Sequence, residues 1–335
     1  MPTILVTEPI HADGLALLRA RPGLEVVEGW TLAPDAMRAA EGRADGLIVR
    51  FHRCDAAFFG RAPALRIVAR YGVGVDLIDL ATARDRGVTV AITADANTQS
   101  VVEHASWMLL SLAKPFDRWR RGMAGLTALT REQWSTLTPS KFASRDEGLG
   151  GELGGKTLLV IGLGRIGRRV AQVASALGMQ VLVVDPYVDR ASGLALGYRF
   201  ADSLAQALPQ AQFVTLHCPR NAETLGMLGA AELALLPAGA AVVNCARGGI
   251  VDEQALADAL ARGHLSGAGI DVFDAEPPPP DHPLLSLPNV FSTPHAAAAT
   301  REAAWRMSTH AARNVIDFLD GRLDPSMVYP VPPRT

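Results

Sequence analysis

Three clusters of residues in this 335-residue chain have types and spacings suited to chemistry. The first is Gly162-Leu163-Gly164-Arg165-Ile166-Gly167. It follows the apolar run Thr157–Ile161 and opens a helical stretch, Arg168–Ala174. A second β-branched run, Gln180–Val184, ends in Asp185. In that setting each glycine has a job. Gly162 permits a tight turn, Gly164 lets backbone approach a pyrophosphate, and Gly167 lets helix and strand pack closely. The helix N-terminus offers N–H groups and partial positive charge to phosphates. Asp185 can accept both hydroxyls of an adenosine ribose and would repel a 2′-phosphate. The pattern therefore predicts a dinucleotide site for NAD rather than NADP.

The second cluster is Asn244-Cys245-Ala246-Arg247-Gly248-Gly249, where an apolar strand ends and an arginine stands beside two glycines. Open α/β sheets bind ligands at that edge, and a guanidinium there can hold a carboxylate with two parallel hydrogen bonds. The third comprises Glu276, after Gly269-Ile270-Asp271-Val272-Phe273-Asp274-Ala275, and His295, in Ser292-Thr293-Pro294-His295. Both follow strand-like runs. An imidazole transfers protons near neutral pH, and a neighbouring carboxylate orients it. Taken singly, an arginine in a turn is usually a solvated charge and a histidine after proline is usually structural. Their grouping at neighbouring strand ends predicts a proton-transfer site beside the dinucleotide. One further match is a decoy. Gly150-Gly151-Glu152-Leu153-Gly154-Gly155-Lys156-Thr157 fits the phosphate-loop pattern letter by letter, but that motif must follow a strand and open a helix. This one leads into a strand, so ATP binding is rejected.

Positioning these residues takes regular alternation. Strand candidates Ile4–Glu8, Leu24–Val27, Gly46–Arg50, Arg66–Arg70 and Thr89–Ile92 alternate with helix candidates Ala12–Ala20, Pro34–Ala40 and Leu77–Arg86. A helix is expected from Thr98 to about Leu112, with Val101, Val102, Ala105, Met108, Leu109 and Leu112 on one face. A second series of strands follows: Leu158–Ile161, Val181–Val184, Phe213–His217, Ala241–Asn244, Gly267–Ile270 and Val290–Ser292. A last helix, Thr300–Leu319, should pack back on the first domain. Such alternation predicts parallel sheets covered on both faces. The irregular region between, Pro115 to Gly155, which includes Gly122–Gly150, reads as an interface arm or a lid.

Length favours two domains. The net charge of −2 gives no broad attraction to nucleic acid or anionic membrane. No apolar stretch approaches the ~20 residues needed to span a bilayer. Cys54, Cys218 and Cys245 are too scattered for a disulfide framework or a zinc site, so no metal is expected. The first residues run straight into a strand without a basic segment, and a cytoplasmic protein is expected.

With these motifs in order, the sequence resembles the D-2-hydroxyacid dehydrogenase family over nearly its whole length, from Tyr71-Gly72-Val73-Gly74-Val75-Asp76 to Pro294-His295. The resemblance implies two doubly wound parallel-sheet domains. A Rossmann NAD domain, residues 99–297, would be inserted into a flavodoxin-like substrate domain, residues 1–98 with 298–335. It implies a homodimer acting on a small 2-hydroxy or 2-oxo acid, with Arg247, Glu276 and His295 as the catalytic residues. Cofactor contacts would come from Val101, Gly162, Gly164, Arg165, Ile166, Gly167, Asp185, His217, Cys218, Pro219, Thr224, Cys245, Ala246 and Asp271. Backbone N–H groups of Val73 and Gly74 would bind the substrate carboxylate. Arg50 aligns with an arginine that phosphoglycerate dehydrogenases use on phosphate, although capping a strand edge is an equal reading of it. The other histidines, His11, His52, His104, His264, His282 and His310, read as structural or surface groups. Ala298 stands where the family often has glycine, and its methyl is expected to narrow the nicotinamide pocket. Formate dehydrogenases of the superfamily carry Gln where Glu276 stands, which argues against formate. Two rivals come from outside this reading: an NAD(H)-binding corepressor-like scaffold, which shares the fold and the three catalytic residues, and an alanine-dehydrogenase-like enzyme.

Overall fold

The β-branched runs do form parallel sheets with helices on both faces. The computed structural model describes residues 1–114, 130, 132 and 150–330, so all of the Gly122–Gly150 region except Thr130, Glu132 and Gly150 lies outside the described residues. The chain divides into two units, Met1–Ser100 with Ala298–Thr335, and Val101–Ala297.

The first unit holds five parallel strands: β1 (Thr3–Val6), β2 (Glu25–Glu28), β3 (Gly46–Val49), β4 (Ile67–Arg70) and β5 (Thr89–Ala91), in the order β2-β1-β3-β4-β5. Alternate residues go to opposite faces, as the two-residue period of a strand requires. Leu5, Leu47, Val49, Val68 and Val90 pack against Phe58 and Phe59 on one side. Ile4, Val6, Ile48 and Ala69 pack against Leu15, Leu18, Ala311 and Val315 on the other. Phe58 and Phe59 are fully buried, which stabilises the unit by about 1.5–3 kcal/mol each. The helix Arg301–Leu319 thus covers a face of the first sheet, as expected.

The second unit has seven parallel strands: β6 (Thr157–Ile161), β7 (Gln180–Val184), β8 (Arg199–Phe200), β9 (Phe213–Leu216), β10 (Ala240–Asn244), β11 (Leu265–Ile270) and β12 (Val290–Ser292). Their order is β12-β11-β10-β9-β6-β7-β8. Chain direction across the sheet reverses beside β6, the strand that leads into the glycine-rich turn. Two glycines of β11 admit the helix Thr98–Ala113. A Cβ on Gly267 would lie 2.8 Å from Leu112, and one on Gly269 would lie 2.9 Å from Met108.

Several boundaries differ from expectation for identifiable reasons. β1 and β3 stop before Glu8 and Arg50, because the Glu8 carboxylate accepts the N–H groups of Arg50 and Phe51 at 2.9 and 2.8 Å. β5 stops at Ala91, since the Ile92 N–H turns to Met327 O. The helix expected from Leu77 is Leu80–Asp85, because the Asp79 side chain accepts the Thr82 N–H and caps it. Thr300 likewise caps the final helix rather than joining it. The helix Ala56–Arg61 and the strand β8 carried too few residues to show a period. No described helix is long and apolar enough to cross a membrane.

Candidate active site

The glycine-rich turn joins β6 to the helix Arg165–Ala176, and its geometry explains the glycines. Gly162 has φ +90°, and a Cβ there would sit 2.8 Å from the backbone of His217 and Cys218. A Cβ on Gly167 would fall 2.0 Å from Gly162 O, so only glycine lets the helix approach. Gly164 differs. Its Cβ direction is open for 4 Å, it is exposed, and as N-cap it provides no side-chain cap. The helix therefore starts with no side-chain cap from its N-cap position.

Asp185, at the end of β7, closes the turn: Oδ2 accepts the Leu163 N–H at 2.7 Å and Oδ1 the Tyr187 N–H at 2.9 Å. A carboxylate has about four acceptor positions, which leaves two for hydroxyls of a ribose. The open cradle at Gly164 and this half-buried carboxylate fit a dinucleotide without a 2′-phosphate. Around the same edge, the His217 ring is paired with Thr215 Oγ1 at 2.9 Å, and burial pushes its imidazole down to about 3, so it stays neutral. Thr224 donates to Pro219 O at 2.6 Å and shapes the loop after β9. Val101, Cys245 and Ala246 are almost fully buried and Cys218 half-buried, contributing small apolar surface.

Arg247 lies on the turn after β10. Asn244 folds that turn, with Oδ1 accepting the Ala246 N–H at 3.0 Å and Nδ2 donating to Arg247 O at 2.9 Å. The turn is pressed against the loop that carries Glu276. A Cβ on Gly248 would lie 2.0 Å from the carbonyl carbon and oxygen of Phe273. Glu276 Oε1 accepts the Phe273 N–H at 3.1 Å, and Oε2 stands 2.8 Å from His295 Nδ1. Partial burial by itself raises the Glu276 carboxyl. The hydrogen bond and charge of His295, the Phe273 N–H and the Arg247 guanidinium outweigh it and hold the group below its ordinary range. A charged Glu276 accepts, so Nδ1 carries a hydrogen and Nε2 is the nitrogen left to work.

His295 has φ +53°, unlike every other described non-glycine residue. Asp271 holds it there. The Asp271 carbonyl accepts the His295 N–H at 2.8 Å. Its carboxylate accepts the N–H groups of Ala296 and Ala297 at 2.7 and 3.0 Å, and the Thr293 hydroxyl at 2.6 Å. Asp271 was expected to line the cofactor. It is 1% exposed, and what the structure shows it holding is the His295 loop.

In the first unit, Val73 and Gly74 are half-buried on the loop after β4. Gly72, at φ +123°, exchanges hydrogen bonds with Thr93: its N–H donates to Oγ1 at 2.9 Å, and the Thr93 N–H donates to Gly72 O at 3.0 Å. Sequence reasoning passed over Arg70, which donates to Gly74 O at 2.6 Å and Tyr71 O at 2.7 Å and so sets the loop's shape. Its signal was the same as that of Arg247, a cation closing an apolar strand. Arg50 donates to Pro9 O at 2.8 Å and lies against the rings of Tyr71 and Phe51, at 4.9 and 5.3 Å. The Ala298 methyl packs against the cluster of Tyr71, Ala96, Ala303 and Met307. No group of three metal-ligating side chains occurs among the described residues.

Comparison with known proteins places this geometry. Residues 107–297 match the family model described as D-isomer specific 2-hydroxyacid dehydrogenase, NAD binding domain. The chain is 36% identical over 329 residues to a D-3-phosphoglycerate dehydrogenase of Methanocaldococcus jannaschii, covering 98% of this chain and 59% of that one. It is 35% identical over 335 residues to a glyoxylate reductase of Aeropyrum pernix, covering 98% and 96%. The crystal structure of D-lactate dehydrogenase from Aquifex aeolicus, complexed with NAD and lactic acid, matches with a TM-score of 0.82 at 27% identity, over 99% of this chain and 100% of that one. The chain spans about three fifths of the length of the D-3-phosphoglycerate dehydrogenases it matches.

Proposed function

We propose, for a chain that belongs to the D-isomer specific 2-hydroxyacid dehydrogenase family, that it interconverts a small D-2-hydroxy acid and its 2-oxo acid with NAD as cofactor. The observation that carries this reading is the Glu276–His295 pair at 2.8 Å, on loops that follow strands of the same sheet as the glycine-rich turn.

The second unit is then the cofactor domain, and the first the substrate domain. The first turn of the helix Arg165–Ala176 would hold the pyrophosphate, Asp185 the ribose hydroxyls, and Val101, His217, Cys218, Pro219, Thr224, Cys245 and Ala246 the remaining surface. When bound, NAD supplies or removes a hydride at the substrate's 2-carbon. Arg247 binds the carboxylate and the 2-oxygen and keeps that oxygen polarised. In reduction, His295 Nε2 donates a proton to the oxygen, and in oxidation it takes one. Charged Glu276 stabilises the imidazolium and keeps Nδ1 protonated in both directions. Val73 and Gly74 contribute backbone N–H groups to the carboxylate.

Arg50 bears on substrate class. Its guanidinium is oriented by Tyr71, Phe51 and Pro9, and it is assigned to a second anion on the substrate. Phosphorylated and plain three-carbon acids are both within this reading, and so is glyoxylate. A homodimer and a cytoplasmic setting belong to the same proposal.

The test is NADH oxidation followed by absorbance with glyoxylate, hydroxypyruvate, 3-phosphohydroxypyruvate and pyruvate, each repeated with NADPH. Turnover of one acid with NADH, and at least ~10-fold less with NADPH, is expected from the Asp185 carboxylate. Tight NADH binding without turnover of any acid would overturn the enzymatic reading.

A further inference from the structure

A chain of hydrogen bonds lies behind His295 that the chemistry above does not use. His104, on the helix Thr98–Ala113, has a mostly buried ring tilted against Trp107 at 5.5 Å, and Trp107 in turn meets Phe291 edge-on at 6.3 Å. Its Nε2 is 3.0 Å from Thr293 Oγ1. The Thr293 hydroxyl donates to Asp271 Oδ1 at 2.6 Å. A hydroxyl has one proton. With that proton directed at the carboxylate, Oγ1 can only accept from His104, so His104 Nε2 must carry hydrogen. Asp271 Oδ1 lies 3.7 Å from that nitrogen.

The Asp271 N–H donates to Asn244 O at 3.0 Å within the sheet edge, and the acceptors of Asp271 face the His295 loop. Its two carboxylate oxygens take the Ala296 and Ala297 N–H groups, and its carbonyl takes the His295 N–H. One buried side chain thus bonds the loop on both sides of a residue at φ +53°, through Thr293 before it and Ala296 and Ala297 after it. That side chain is steered by Thr293, and Thr293 by His104.

We infer that His104 is a positioning residue: the N–H on Nε2, acting through Thr293 and Asp271, sets where His295 presents its imidazole. This rests on the proposed role of His295. A ring present only for packing would need its shape against Trp107 and nothing from Nε2.

Four variants separate these cases. His104→Phe keeps a ring against Trp107 and removes the donor. His104→Gln returns an N–H at similar reach. Thr293→Val removes the intermediate hydroxyl with little change of volume, and the fourth variant combines His104→Phe with Thr293→Val. His104→Phe and Thr293→Val should each lower kcat by roughly 10- to 100-fold, with KM and the NADH Kd within about threefold. The combined variant should be no more than about threefold worse than either, since both cut one chain. His104→Gln should recover most of the loss. Two further readouts do not depend on turnover. ¹⁵N-histidine NMR of the ligand-free protein should show hydrogen on His104 Nε2, and the His295 ring signals should shift in His104→Phe and return in His104→Gln. Hydrogen on Nδ1 alone, unmoved His295 signals, an additive double variant or an unchanged kcat would each overturn the inference. Absence of turnover in the wild type, with the NMR pattern as expected, would instead reject the functional reading and leave the positioning chain standing.

Discussion

Replacing Gly248 with alanine tests how closely the Arg247 turn and the Glu276 loop are coupled. The added Cβ would lie 2.0 Å from the Phe273 carbonyl carbon and oxygen. Neither neighbour is a flexible side-chain end, so backbone must move. Ordinary contact begins near 3.4 Å, which requires a displacement of about 1.4 Å between the two segments. Gly248 is not among the positive-φ positions, so alanine meets no intrinsic backbone penalty there. The loss should therefore come from the displacement. Overpacking of this kind costs about 1–3 kcal/mol of stability. Catalytic geometry is more sensitive. A misplacement of about 1 Å can cost ~100-fold in rate, equivalent to about 2.7 kcal/mol of transition-state stabilisation. Steady-state kinetics with the best 2-oxo acid, beside NADH titration by fluorescence, measures this directly. The expected result is a kcat down about 100-fold with NADH binding kept, because Gly162, Gly164 and Asp185 are untouched. A folded Gly248→Ala protein with wild-type kcat would refute the claimed coupling between Arg247 and Glu276.

Two further outcomes follow from the ionisable groups. Glu276 is held below its ordinary value of 4.5. Folding therefore gains from its charge above about pH 4.5 and loses that gain as pH falls through the lower folded value. The difference in Tm between wild type and Glu276→Gln should be present at pH 7 and close as the pH is taken well below about 4.5; a difference that widens in acid would contradict the assigned shift. Burial pushes the thiols of Cys54 and Cys218 up to about 12 and about 11, and raises that of Cys245 as well. None should react with a disulfide reagent within minutes in the native protein at pH ~8, and all should react in denaturant; one fast native thiol would show that one of these sites is open.

What could be read from sequence was what local backbone demands. Gly162 is required by its own φ of +90° and Gly167 by its approach to Gly162 O, both within one strand–turn–helix unit, and Asp185 belongs to the strand beside it, so a linear pattern exposes them. Arg247, Glu276 and His295 were legible because each follows a strand, and strand ends of one parallel sheet share an edge. Other roles depend on segments that meet only in the fold. The need for Gly248 comes from Phe273, 25 positions on. Asp271 read as a cofactor contact because its place after β11 matches one, while its burial beneath the His295 loop has no linear signature. His104 read as structural for the same reason: its partner, Thr293, is 189 residues away. The Ala298 methyl finds two of its neighbours, Tyr71 and Ala96, far along the chain.

The first unit is made of two stretches separated by 197 residues, and its closing helix comes from the second. Ribosomal synthesis meets that order in time. When β1, β3 and β4 have emerged, the face bearing Ile4, Val6, Ile48 and Ala69 has the helix Ala12–Ala20 but lacks Ala311, Ala312 and Val315. At ~5–20 residues per second the missing helix arrives about 12–50 s later. Throughout that interval the nascent chain carries an open apolar face, while the second unit, continuous in sequence, can fold as it emerges. Chaperone dependence should therefore follow the first unit, and a ribosome-bound chain halted before Arg301 should be the form that aggregates.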